Sequence, residues 1–193
     1  MHRIAPIALG LINLLQCIAT RNSKGLFFVD SCPIEVCHIK RANSNKIAKG
    51  FASRKKSSMG WFYGFKLHAV CNEKHQIVSI QVTTGSVDDR EPLVNLVKNL
   101  KGIIIADAGY IGKNIQDKLL NLGIRLQAAP RNNMKVLMSK AEHLLLKKRQ
   151  TIERVFSVIK TRFSLNCSLA RSMHGMFTMI ITALLWYQIN TVF

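Results

Sequence analysis

Acidic residues are scarce in this chain: 10 Asp and Glu stand against 28 Lys and Arg, for a net charge of +18 over 193 residues. No acid lies between Glu35 and Glu73, from Lys118 to Ala141, or after Glu153. The first gap holds Lys40, Arg41, Lys46, Lys49, Arg54, Lys55, Lys56 and Lys66. Blocks of this kind attract a phosphate backbone through a non-specific, salt-sensitive term; a solvated basic face or a membrane-surface patch is the plainer alternative. The five cysteines are odd in number and irregularly spaced, which excludes a disulfide framework and fits a reducing cytoplasm. Cys32, Cys37 and His38 are followed by no second pair at ligand spacing, which argues against a structural zinc site. Long apolar runs are also missing. Met176 to Trp186 is shorter than the ~20 residues of a membrane span. Ile4 to Ala19 follows Met1-His2-Arg3 like a short signal sequence, but Asn13 and Gln16 interrupt it, and Gln16 before Cys17 does not suit a lipobox. Both ends therefore read as packing helices, with no membrane partner. No internal repeat is present.

What is present reads as one α/β domain. A hydrophobic content of 48% excludes disorder and is enough for a core. Residues 25–31 read as a first strand, and the basic, Ser/Asn/Gly-rich segment 38–60 as a loop. Gly60 to Val70 is aromatic and β-branched and reads as a second strand; Asn72 to His75 supplies a turn into a third, Gln76 to Thr83. Asp88-Asp89-Arg90-Glu91-Pro92 opens a helix running to Leu100, its acids suiting the helix dipole as capping residues. A fourth strand spans 102–107, a helix 112–122 and a fifth strand Ile124 to Ala129. A basic loop, Pro130 to Lys140, leads to one long helix from Ala141 to Phe163. The order predicts an RNase H-like mixed five-stranded sheet with helices on both faces, with residues 1–24 as an N-terminal helical remnant, 25–165 as the domain proper and 166–193 as a C-terminal packing helix.

Three of the acids occupy costly positions. Asp30 ends Leu26-Phe27-Phe28-Val29, and Asp107 ends Ile103-Ile104-Ile105-Ala106. A carboxylate at the end of a buried strand is expensive to desolvate unless it is paired or holds a cation. On the later helix, Ile152, Val155, Phe156 and Ile159 form the core stripe. Arg149, Glu153 and Lys160 share a second stripe at its margin, so Glu153 can lean toward the strand ends. An ordinary ion pair between Arg149 and Glu153 would explain that spacing alone. With Asp30 and Asp107 the set gains the layout that two divalent ions about 3.5–4 Å apart require. Arg149 and Lys160 would grip flanking phosphates. Among the remaining candidates, Lys66 and His68 share one face of the second strand and meet either DNA or solvent. Trp61, Phe62 and Tyr63 read as core, with base stacking the alternative. His38 reads as a surface contact, and Asp117 and Glu142 as solvated.

Together these motifs resemble the insertion sequence 982 family of DDE transposases. The resemblance rests on Phe28-Val29-Asp30-Ser31-x-Pro33, Gly60 through His68, Gly85-x-Val87-Asp88-Asp89-Arg90, Ala106-Asp107-x-Gly109-Tyr110 and Arg149-x3-Glu153-x6-Lys160, in order over residues 25–165. It implies Asp30, Asp107 and Glu153 as catalytic metal ligands, two Mg²⁺ or Mn²⁺ ions, cleavage at insertion-sequence ends and strand transfer into target DNA. It implies DNA contacts from Arg149, Lys160, Lys40, Arg41, Arg54, Lys55, Lys56 and Lys66, a homodimer pairing two ends, and a cytoplasmic, nucleoid-associated location. Two positions depart from the family pattern: Leu146 replaces a Tyr, and Ala108 stands where members often carry Lys. With about 24 residues before the first strand, the chain reads as truncated at its N-terminus. An inactive DNA-binding remnant and a nuclease without strand transfer are the alternative readings.

Overall fold

Apolar residues at alternate positions along the central strands feed two separate cores, and that division builds the molecule. The computed structural model describes residues 4–57, 60–128, 139–163, 165 and 170–193. Strand β1 (Leu26–Cys37) points Phe28, Cys32, Ile34 and Val36 to one face, and Phe27 and Val29 to the other. Strand β3 (Gly60–Asn72) does the same with Phe65, Leu67, Ala69 and Cys71 against Val70. The period-two alternation of a pleated strand makes both faces apolar, so helices cover both.

On the first face, α5 (Gln150–Phe163) lays down Ile152, Val155, Phe156 and Ile159. Beside it α6 (Met173–Val192) buries Met176, Ile180, Ala183, Leu184 and Tyr187. On the second face lie α2 (Leu93–Val97) and α3 (Lys113–Asn121), contributing Leu93, Leu96, Val97 and Leu119. Helix α1 (Ile4–Arg21) runs along α6 and the strand β4 (Ile77–Thr84), giving Ile12 to the first core and Ala19 to the second.

The sheet is RNase H-like and mixed. β1 pairs antiparallel with β3 and parallel with β5 (Gly102–Ala106), which pairs parallel with β6 (Ile124–Ala128). The outer edge of β3 is shared end to end by β4 and by β2 (Ser53–Ser57), both antiparallel. The sheet thus has six strands rather than five. The extra one is β2, which lies inside the basic stretch expected to be a loop. Its Arg54, Lys55 and Lys56 are exposed and pair across to Tyr63, Phe62 and Trp61. β1 is also longer than expected. It continues through a bulge at Glu35/Cys37, where Gly64 of β3 comes so close that a Cβ would stand 2.0 Å from the Ile34 carbonyl oxygen.

Two helices depart from the sequence expectation. The segment from Asp88 to Leu100 is helical only over Leu93–Val97, and its N-cap is Pro92 with no side-chain cap. The single long helix is two, α4 (Lys140–Lys147) and α5, separated at Lys148 and Arg149. Ser139 and Glu142 form a capping box at the start of α4, so Glu142 is a capping residue rather than a merely solvated one. Most of the basic loop (130–138), Ala129 and Cys167 lie outside the described residues. Helix α6 has 20 residues, long and apolar enough to cross a membrane by length and composition, and extends beyond the Met176–Trp186 run that read as too short for a span. Within this fold one of its faces is stapled to β4 and the turn before it. The buried Gln188 side chain accepts from Ile77 N–H at 3.0 Å and donates to Ile77 C=O at 2.7 Å. Tyr187 Oη donates to His75 C=O, and Gln76 Nε2 to Thr191 C=O.

Candidate active site

The parallel register of β1 and β5 decides where two of the acids go. Phe28 pairs with Ile105, so Asp30, inside β1, and Asp107, just past the end of β5, each two residues further on, fall in the same rank where the parallel pairing stops. Asp107 caps the 3-10 turn Ala108–Tyr110, accepting from Ala108 N–H at 2.7 Å. Asp30 accepts from Ser31 N–H at 2.8 Å.

The break between α4 and α5 brings in the third acid. Two i→i−3 hydrogen bonds, Thr151 N–H to Lys148 C=O and Ile152 N–H to Arg149 C=O, tighten the chain there and turn Arg149 toward the strand ends. Its guanidinium bridges the set: Nη1 is 2.8 Å from Asp107 Oδ1, and Nη2 donates to Glu153 Oε1 at 2.9 Å. Asp107 and Glu153 are about half exposed, their side chains at 55% and 51%. Asp30 is deeper. Burial pushes its carboxyl up from 3.8 to about 6, opposed by the Ser31 hydrogen bond and the charge of Arg149 and reinforced by Asp107 and Asp89. The three acids therefore share one electrostatic neighbourhood, with a guanidinium as its counter-ion. Lys160, two turns beyond Glu153, is partly buried near Cys32. It helps line a cavity of about 300 Å³ with Pro33, Glu35, Ser57, Gly60, Trp61 and Phe62.

Whether such a set suits a divalent ion is a question of donors and spacing. Among the described residues no three acids, cysteines or histidines stand close enough to hold an ion as they are. The donor chemistry fits: carboxylate oxygens are the hard ligands that Mg²⁺ and Mn²⁺ take. A cationic guanidinium already bridges Asp107 and Glu153, so the pocket stabilises positive charge.

The other expected contacts divide. Lys40, Arg41, Arg54, Lys55 and Lys56 are exposed. Lys66 is not, which corrects its expected role as a DNA contact: it is 6% exposed and donates to Asp89 Oδ1 at 2.7 Å, because β3 turns it toward the second face beneath the 85–92 turn. His68, expected to meet DNA or solvent, is fully buried; burial lowers its pKa to about 4, so the ring is neutral at pH 7. Asp88 and Asp89 do not cap a helix. Asp88 accepts from Arg90 N–H, Nε and Nη2, which holds its carboxyl well below the usual range. Asp89 reaches to Lys66 and to Ser31 Oγ, the latter at 2.8 Å. His38 accepts from Lys40 N–H at the start of a short 3-10 turn. Trp61 is 60% exposed while Phe62 and Tyr63 are buried. Ser31 and Tyr110, packed behind the acids, were not among the expected site residues. Both stand in the motifs that carry the family resemblance, where no role was assigned to either.

A family model described as a transposase DDE domain matches residues 20–173. Two solved structures are similar at low identity. One is a piggyBac transposase synaptic complex with hairpin DNA, with a TM-score of 0.47, 10% identity and coverage of 88% of this chain and 52% of that one. The other is a pre-cleavage Mos1 transpososome, with a TM-score of 0.35, 13% identity and coverage of 96% and 60%. The chain thus spans between half and two thirds of the length of these structures. No curated protein matches it.

Proposed function

This chain belongs to the DDE-domain transposases, and from that premise we propose that it cleaves DNA at transposon ends and joins them to target DNA, with Asp30, Asp107 and Glu153 as its metal-holding carboxylates. The observation that carries the reading is the convergence of two aspartates in one register of neighbouring strands with a helix glutamate, Arg149 bridging Asp107 and Glu153. Structural scaffolding alone has no need of three acids there, one of them with a pKa near 6. Asp30, Asp107 and Glu153 would hold two Mg²⁺ or Mn²⁺ ions. Metal ions held there would supply a lowered pKa for the attacking water or 3′-hydroxyl and would offset charge on the scissile phosphate.

The chain's own residues do the rest. Arg149 neutralises Asp107 and Glu153 in the absence of substrate, and its five-donor fork is suited to a phosphate when DNA arrives. Lys160 lies on the same stripe of α5 as Glu153 and would contact a flanking phosphate. The exposed cations of β2 and of the turn at Lys40 and Arg41 form a basic flank that would track the backbone. Membership of the insertion sequence 982 group, a homodimer pairing two ends and a nucleoid location belong to the same proposal, supported by the motifs and by the charge.

The test is cleavage of duplex DNA carrying candidate terminal repeats, with Mg²⁺ or Mn²⁺. The wild type is expected to cleave, and Asp30→Ala, Asp107→Ala and Glu153→Ala each to lose about a thousandfold in rate, several kcal/mol of transition-state stabilisation, while remaining folded. Retained cleavage in any of the three removes that residue from the site. Supplying a pre-cleaved end then separates a transposase, which joins it to target DNA, from a nuclease, which does not.

A further inference from the structure

Behind the acids, on the face of the sheet opposite α5, lies a polar network that the proposed reaction does not use. Lys66 Nζ and Ser31 Oγ both donate to Asp89 Oδ1, at 2.7 and 2.8 Å. His68, fully buried, bonds Thr83 Oγ1 through Nε2 at 2.8 Å. Its Nδ1 has no hydrogen-bond partner and sits 3.7 Å from the same Asp89 oxygen. Tyr110, 3% exposed, places its hydroxyl beside Ser31 but out of hydrogen-bonding geometry.

An ion pair between a buried Lys66 and an Asp89 side chain that is 38% exposed adds little net stability, so its use here is sought in geometry. Ser31 joins the network to one acid-bearing segment, and Tyr110, packed beside it, belongs to the other. Ser31 holds the Asp30 carboxylate with its N–H while its hydroxyl is tied to Asp89. Tyr110 closes the 3-10 turn whose first N–H holds Asp107. Asp89 thus anchors the turn after β4 to the point on β1 from which Asp30 projects.

We propose that Asp89 is a positioning residue: paired with Lys66, it clamps Ser31 and so fixes the part of β1 that carries Asp30. The inference rests on the reading of Asp30 and Asp107 as reacting carboxylates. A misplacement of ~1 Å at such a site costs ~100-fold in rate without loss of substrate binding.

Two variants of the full chain test it, each followed by metal-dependent cleavage rate, DNA Kd and thermal melting. Asp89→Leu combined with Lys66→Met removes the pair as a unit, so melting is expected near that of the wild type. Cleavage is expected to fall ~10- to 100-fold in kcat with DNA Kd unchanged. Ser31→Ala leaves the pair intact and cuts only its link to β1; it is expected to show the same fall in kcat, and Ser31→Thr, which keeps the hydroxyl, to recover it. Wild-type rates in both Ser31→Ala and the double variant would overturn the inference while leaving the transposase reading in place. A folded wild type that never cleaves would overturn that reading, and the inference with it.

Discussion

Asp30 carries the largest conflict between stability and function in the molecule. Its folded pKa of about 6 lies above its ordinary value of 3.8, so the native state binds a proton more tightly than the unfolded chain. Between those values stability falls as pH rises, and above pH 6 the ionised carboxylate costs on the order of 3 kcal/mol. His68 acts in the opposite sense: its folded pKa near 4 lies below 6.5, so its contribution is present above pH 6.5 and is lost as pH falls toward 4. The two slopes oppose each other over the same window and blunt the wild-type profile. Asp30→Asn is expected to stabilise the protein at pH 7.5 by ~2–3 kcal/mol and to leave the acid-side decline of His68 exposed, as thermal melting from pH 4 to 8 would show. A variant no more stable than wild type at pH 7.5 would mean that Asp30 carries no such burial cost. Asp30 stood out in the sequence because it closes an apolar run, although β1 continues past it to Cys37. The pairing of Asp89 with Lys66 was not, since Asp88 and Asp89 at the start of an expected helix satisfy capping rules equally well and only tertiary packing chooses between the two.

Elements place the acids, and one helix terminus and one helix break matter most. Gln188 of α6 satisfies both backbone groups of Ile77, so Gln188→Leu strands a buried N–H and a buried C=O. The expected loss is about 2–4 kcal/mol, read from urea denaturation, and a loss below 1 kcal/mol would mean that α6 is not fastened there. The hydrophobic stripe of α5 was visible as Ile152, Val155, Phe156 and Ile159, because burial imposes a helical period. The break at Lys148 and Arg149 was not visible. No Gly or Pro marks it, and packing of Leu145 and Leu146 onto the first core accompanies it. β2 was hidden for a related reason: its Arg-Lys-Lys sequence has no strand pattern of its own, and its hydrogen bonds come from the aromatic start of β3. The central strands β1, β3 and β5 were the most legible, their β-branched and aromatic runs being bounded by Gly and polar residues.

At the scale of the whole molecule, a net charge of +18 sets the terms of association. Binding to duplex DNA is expected to weaken steeply with salt, and replacing Arg54, Lys55 and Lys56 together by Ala to reduce the log–log slope by ~2–3. Lys66→Ala is expected to leave that slope unchanged, because its charge is spent on Asp89; an equal reduction would show that Lys66 reaches DNA after all. Charge alone does not make an enzyme. That depends on whether Asp30, Asp107 and Glu153 gather a divalent ion once Arg149 is drawn off them. The most direct measurement is calorimetric titration of Mn²⁺ into the full chain and into Asp107→Asn, each with and without duplex DNA. Saturable binding by the wild type, weakened at least ~10-fold in the variant, is expected of a carboxylate site. Binding of equal strength in the variant, or none by the folded wild type even with DNA present, would contradict it.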